Sequence, residues 1–326
     1  DEIVCANTAF RYWRCPLQVH DLYPRLPSSD DGWRALSQAP FVTDVLKTPI
    51  IAVASPGCCN HHSGLRSTIR WEGASDTGTA TDTHLGFSVT DPLNTLFTMT
   101  RFVSQIDLVL AMYELCGWFS VFEPTPAVEM QLKIALKENR NSSTQDLFEL
   151  GEGEDEIPWK RVYARTTVKV PANEGQTNNR EDGREVTKLK GTSLWMRKPL
   201  IELSDLHRFA EKVNSQMWGK QFYDAAQQVI GIAASPLEVA GVLLLSRSRR
   251  LGGSGFRYVY LNDLTPLSEE AQSIAGQKVC YGDIVIVNPI LMKAAIIEIQ
   301  GEVIHGSGAV LDQDAERMTA LQSMGF

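Results

Sequence analysis

One long polar stretch divides the chain and limits how its apolar residues can be buried. Residues 138–192 are rich in Glu, Asp, Asn, Arg, Ser and Gly, with brief apolar interruptions such as Trp159 and Val162. Because so polar a stretch supplies no core of its own, it predicts a solvated insertion or a loosely ordered linker. We therefore expect a smaller N-terminal α+β domain over 1–137, this linker over 138–195, and a second domain over 196–326.

Composition indicates a globular protein of a reducing compartment. The chain is 43% hydrophobic, with no uncharged apolar run of about 18 residues and no basic-then-apolar start. Its six cysteines follow no disulfide-scaffold pattern, which favours free thiols. We expect a cytoplasmic protein without a membrane partner. The net charge of −8 argues against coating nucleic acid by charge alone, but not against a local basic groove.

The pattern upstream of the polar stretch predicts short strands followed by buried helices. Brief apolar runs bounded by Gly, Asp or Thr predict strands at 50–54, 67–71 and 86–89. Asp91-Pro92 is typical of a helix start, with a capping residue and proline in the first turn. Apolar spacing predicts helices near residues 9–14, 93–122, 200–213 and 222–230.

A run of soft metal ligands, Cys58-Cys59-Asn60-His61-His62, is a candidate zinc site. Zinc sites usually pair two ligands at Cys-x-x-Cys spacing with a second pair elsewhere. No such second pair is evident, although the fold could bring in Cys5, Cys15 and His20. An ordinary loop is therefore the favoured interpretation.

The most informative helix start lies at Ser235-Pro236-Leu237-Glu238, which combines a cap, a first-turn proline and an acid at the third position. Beyond this helix the acidic chain becomes basic. Four arginines and no acid occur between Ser246 and Tyr260, at positions Arg247, Arg249, Arg250 and Arg257. They predict either a phosphate-facing edge or cations that favour a helix C-terminus.

Two apolar strands near the C-terminus each carry an acid. Asp283 precedes the strand Ile284–Val287, and Glu298 lies within a predicted strand over residues 295–300. If the hairpin is symmetric about the bond between Ile290 and Leu291, Asp283 lies opposite Glu298, with β-carbons roughly 5 Å apart. A divalent cation would relieve the repulsion. A one-residue slip, or a solvated edge strand, is the alternative.

The order of these features resembles the very-short-patch-repair type of endonuclease domain, a branch of the restriction-endonuclease-like nucleases. The resemblance covers about Ser235 to Phe326 and joins the Ser-Pro-x-Glu helix, Asp283, Glu298-x-Gln300, His305 and the run Asp314-x-x-Arg317-x-x-x-Leu321-x-x-x-Gly325. It implies an α/β fold with a mixed sheet flanked by helices. A weaker similarity links residues 89–93 to antitoxins of type IV toxin–antitoxin systems, which regulate transcription.

The resemblance implies a catalytic group of Asp283, Glu298, Gln300, His305 and Glu238. Asp283 and Glu298 would hold Mg²⁺ or Mn²⁺, Glu238 would lie near the site, and His305 would transfer a proton. Gln300 departs from the family, which usually has Asp or Lys there. The family also continues with another strand, so we expect this sequence to be trimmed.

Two functions follow as expectations. The first is a metal-dependent DNA endonuclease of defence or repair. The second is a catalytically inactive, antitoxin-like DNA-binding regulator. DNA is the expected partner in both, and a homodimer is an open alternative. Asp314 and Arg317 are expected to form an ion pair on the surface of their helix.

Overall fold

The computed structural model describes residues 3–27, 33–54, 62–70, 80–138, 159–170, 184–299 and 308–325. These residues form a mixed α/β protein with three sheets, one of which is a five-stranded mixed sheet. None of their helices is both long enough and apolar enough to cross a lipid bilayer.

The five-stranded sheet lies near the N-terminus and has the order β3-β2-β1-β5-β4. β1 pairs parallel with β5 and antiparallel with β2, and β2 pairs parallel with β3. The three strands predicted in this region are confirmed, and β4 is an addition. The strands are Ile3–Val4 (β1), Ile50–Val53 (β2), Arg66–Ile69 (β3), Ala80–Asp82 (β4) and Ser88–Thr90 (β5).

Helices lie between and after these strands along the chain. The predicted start at Asp91-Pro92 is confirmed, because the Asp91 carboxylate accepts a 3.0 Å hydrogen bond from the Asn94 amide. A π-helical turn covers Val42–Leu46. The helices are Ala6–Trp13 (α1), Leu17–His20 (α2), Trp33–Gln38 (α3), Pro92–Met99 (α4), Gln105–Cys116 (α5) and Pro126–Glu138 (α6).

Part of the predicted linker is ordered as a β-hairpin. β7 (Lys160–Val170) pairs antiparallel with β8 (Arg184–Met196), and β8 pairs with β6 (Phe119–Val121). The expectation of loose structure is wrong for these strands. Their backbone groups are paired in the sheet, and Trp195 is buried in a core with N-terminal residues. Residues 139–158 and 171–183 lie outside the described residues.

The C-terminal sheet has the order β11-β10-β9, and both of its strand pairs are antiparallel. The mixed sheet expected here is therefore wrong for the described residues, because a four-residue turn joins β10 to β11 and forces them antiparallel. The elements are Leu203–Val213 (α7), Gly219–Ala226 (α8), Pro236–Ser246 (α9), Val259–Pro266 (β9), Glu269–Ala275 (α10), Val279–Asn288 (β10), Lys293–Ile297 (β11) and Gly308–Ser323 (α11).

One hydrophobic core contains residues from both sides of the polar stretch. Leu96 and Leu115 belong to the same buried cluster as Phe222, Val239 and Ile284. The segments before and after the polar stretch therefore share one hydrophobic core.

A buried polar network fastens α1, α5 and β6 together. The Glu114 carboxylate pairs with Arg14 and accepts 2.9 Å hydrogen bonds from the Ser120 hydroxyl and the Val121 amide. Arg197 is buried nearby and donates to the Glu114 carbonyl oxygen at 2.6 Å. Burial lowers the pKa of Arg197 to about 10. Each charge here has protein partners, as burial of a charge requires.

Candidate nucleic-acid interface

The start of α9 is built as its sequence predicts. The Ser235 hydroxyl oxygen accepts a hydrogen bond from the Glu238 amide at 3.2 Å. Glu238 in turn accepts one from the Ser235 hydroxyl at 2.9 Å and one from the Ala234 amide at 2.8 Å. These reciprocal bonds satisfy backbone donors that the helix leaves without partners.

A third hydrogen bond to the Glu238 carboxylate comes from Asn262 of the neighbouring strand β9. Asn262 has a left-handed backbone (φ 49°), and its side-chain amide donates to the Glu238 carboxylate at 2.8 Å and to the Ile232 carbonyl at 2.9 Å. Glu238 is also buried. It therefore connects α9 to β9. Sequence reasoning missed Asn262, whose one signal is that asparagine tolerates left-handed backbone better than most residues.

The predicted register of the β10–β11 hairpin is confirmed. Asn288 pairs with Lys293 and Ile284 pairs with Ile297, so the ladder is centred between Ile290 and Leu291, and its last pair lies one residue before Asp283 and Glu298. The strand is shorter than predicted, however. β11 ends at Ile297, and the amide of Ile299 turns back to donate to the Asp283 carboxylate at 2.7 Å.

Glu298 forms an ion pair with Arg317 of α11. The Glu298 side chain is 9% exposed and that of Arg317 is 29% exposed, so this pair is partly shielded from water. The predicted pairing of Arg317 with Asp314 stays a prediction, because the side chain of Asp314 lies outside the described residues.

Each of the three predicted carboxylates already has a protein partner in this arrangement. Glu238 accepts hydrogen bonds from three donors, Asp283 accepts one from a backbone amide, and Glu298 faces a guanidinium. A cation would have to displace these partners. Within the described ranges, no three His, Cys, Asp or Glu side chains are grouped to hold a metal. Gln300 and His305 lie outside those ranges.

The candidate zinc run has no second half in the described part of the chain. Residues 58–61 lie outside it, and His62 bonds to the Ser67 hydroxyl at 2.8 Å. Cys5 and Cys15 are buried, and burial raises the pKa of each thiol. His20 is buried and stacked on Tyr12. Burial of the thiols thus favours packing over metal binding.

The residues from Arg247 to Arg257, here called the arginine loop, fold back on the C-terminal end of α9. Amides of Ser254 and Phe256 donate to carbonyl oxygens of α9 at 2.7 and 2.9 Å. At Gly253 a β-carbon would lie 2.1 Å from the Arg247 carbonyl oxygen, so the turn requires glycine. These contacts fix the main chain of the arginine loop against the end of α9.

Three of the four arginines that were predicted to face phosphate are exposed on the arginine loop. Arg249, Arg250 and Arg257 are exposed. Arg247 is half-buried, and its Nε donates to the Gln228 side chain at 2.9 Å. Among the described residues, these four arginines make no ion pair with an acid. The loop thus offers cations to an anionic partner.

Comparison with known proteins finds no relative for this chain, since no family model, no curated protein and no solved structure matches it.

Proposed function

We propose that the protein binds DNA through the arginine loop and that it does so without hydrolysing the DNA. The observation that carries this proposal is the cluster of exposed guanidiniums at Arg249, Arg250 and Arg257 in a chain of net charge −8. Folding does not require the basic residues of an acidic protein to lie close together in the sequence. Their concentration in one short turn therefore favours binding of an anionic partner. Arginine suits phosphate oxygens, because its planar group can donate two parallel hydrogen bonds.

The carboxylates support a non-hydrolytic protein. Glu238 and Glu298 each join two elements, α9 with β9 and the end of β11 with α11. Asp283 fixes the chain where it leaves β11. These roles stabilise the fold, so a catalytic metal at these three carboxylates would have to compete with protein partners. The antitoxin-like regulator is therefore the better supported of the two functions that the sequence predicts.

The test is duplex binding measured by fluorescence anisotropy over a range of salt. Replacing two exposed arginines, Arg249→Gln with Arg250→Gln, is expected to weaken binding on the order of tenfold or more. The slope of log affinity against log salt should also fall, by about 0.9 for each lost phosphate contact. The matched control is Arg208→Gln with Lys220→Gln, which removes two exposed cations from α7 and α8. Equal binding by both double variants would refute the proposal.

A metal-dependent nuclease is the second candidate, favoured by a strand register whose last pair, Ile284 with Ile297, directly adjoins Asp283 and Glu298. Supercoiled plasmid with Mg²⁺ or Mn²⁺ tests it. Asp283→Asn removes the charge but keeps an oxygen for the Ile299 amide. We expect no nicking that depends on Asp283. Nicking that disappears both with EDTA and in this variant, at unchanged melting temperature, would establish the nuclease.

A further inference from the structure

Three consecutive apolar side chains project from the turn between β10 and β11. Ile290, Leu291 and Met292, here called the hairpin tip, are 91%, 63% and 88% exposed. The turn is well defined, because the Asn288 side chain accepts hydrogen bonds from the amides of Ile290 and Leu291, both at 3.1 Å. Such exposure of large apolar groups is costly in water and favours a binding role.

The hairpin tip lies at the same end of the sheet as the arginine loop. The amide of Val287, near the end of β10, donates to the Tyr258 carbonyl at 3.0 Å. Tyr258 directly follows Arg257 and is exposed, as is Tyr260 two residues further on. Arg257 and Tyr258 therefore lie at the end of the sheet that carries the hairpin tip.

The two segments that carry the arginine loop and the hairpin tip have charge of one sign. Residues 246–260 and 284–297 together contain the cations Arg247, Arg249, Arg250, Arg257 and Lys293 and no acid. An anionic partner is thus the one that fits. Aliphatic side chains flanked by arginines are what proteins use to unstack a base step while holding the adjacent phosphates.

We infer that the hairpin tip inserts as an apolar wedge between base pairs of DNA held by the arginine loop, which unstacks and bends the duplex. This inference rests on the proposed function and adds the way in which the DNA is deformed. A lipid surface is the competing occupant. Three apolar side chains beside basic residues can also anchor a protein to an anionic membrane, so vesicle binding is an outcome of the test that would overturn the inference.

The test uses duplexes with 2-aminopurine beside a flexible pyrimidine–purine step and with a donor and acceptor dye at their ends. On binding the wild-type protein, we expect the 2-aminopurine fluorescence to rise severalfold and the ends to approach. Ile290→Ser with Met292→Ser should abolish both changes while the salt dependence of binding stays the same, since the phosphate contacts remain. Met292→Gln alone should reduce both. The control is Met217→Ser, which polarises a side chain that is 78% exposed elsewhere.

The outcomes separate the two proposals. If the double tip variant still unstacks and bends DNA, the wedge is refuted and DNA binding stands. If the wild-type protein binds no duplex at any salt concentration tested, both fail. If the tip instead governs binding to phosphatidylserine vesicles and leaves the DNA unchanged, the hairpin tip is a lipid contact and the inference is wrong.

Discussion

At the scale of single residues, His20 is held where its charged form is disfavoured. Its ring is 1% exposed, stacks on Tyr12 with centroids 4.6 Å apart, and meets the edge of Phe41 at 5.5 Å. The ring of His84 lies 5.9 Å away. Burial, with a smaller contribution from His84, lowers the pKa of His20 to about 4.

This environment predicts a loss of stability in mild acid. The unfolded chain binds a proton on His20 below its ordinary pKa near 6.5, whereas the folded protein does so only near pH 4. Stability is therefore unaffected above about pH 7 and falls by up to about 3 kcal/mol as the pH drops towards 4. Urea unfolding from pH 4.5 to 7.5 should show this decline in the wild type and a shallower one in His20→Phe, which keeps the ring stack.

The control for this prediction is His62→Ala, which removes an exposed imidazole. Carboxylates titrate in the same range in every variant, so only the difference between variants reports on His20. If the curves of the wild type and His20→Phe stay parallel across the range, burial of His20 does not govern the acid response.

At the scale of elements, α9 sits on the β10–β11 hairpin through a glycine. A β-carbon at Gly241 would lie 2.7 Å from the end of the Ile299 side chain and 2.8 Å from that of Ile284. The helix therefore approaches the sheet more closely than a larger residue would allow. This contact fixes the helix that carries Glu238 against β10, the strand that contains Asp283.

Gly241→Val should separate these elements and lower the free energy of unfolding by about 1–3 kcal/mol, as overpacking does. The matched control is Ala240→Val, one residue away on the exposed side of the same helix. Chemical denaturation measures both. Equal stabilities for the two variants would show that the hairpin yields to the added side chain.

The features predicted correctly are those that depend on residues close together in the sequence. The cap at Ser235 depends on a residue three positions away, and the symmetric hairpin depends on a turn opened by Asn288. The pairs Glu238–Asn262 and Glu298–Arg317 join residues 24 and 19 positions apart and form only when separate elements pack. For the same reason, the composition around Trp195 predicted a linker where long-range pairing makes a strand.

The candidate site was predictable in its components but less so in its chemistry. The arginine loop could be predicted from the charge pattern alone, and the register of the β10–β11 hairpin could be predicted from its symmetry. The partner of each carboxylate could not be predicted, because a buried acid can be stabilised either by a metal ion or by a basic side chain. In this fold the cation beside Glu298 is Arg317.

At the scale of the whole molecule, the shared core predicts that its two ends unfold together. Phe222 is fully buried, and its ring lies 5.7 Å from that of Phe97 in α4. Phe222→Ala should cost about 3–5 kcal/mol. It should also speed amide hydrogen exchange in α4 and β2 as much as in α7. Met217→Ala, at an exposed site, should leave exchange unchanged. Faster exchange confined to residues beyond 196 would instead support the predicted division into independent domains.

The β10–β11 hairpin also bears on how concentrated this protein can become. In the described part of the chain, β11 is an edge strand, and Ala294 and Ala295 are exposed along it. Lys293 is the one charged residue between Ile284 and Ile297. Edge strands of this kind pair with copies of themselves unless a charge interrupts them. Acetylation or loss of that lysine would leave an uncharged ribbon, so one side chain helps to keep the molecules dispersed in a crowded solution.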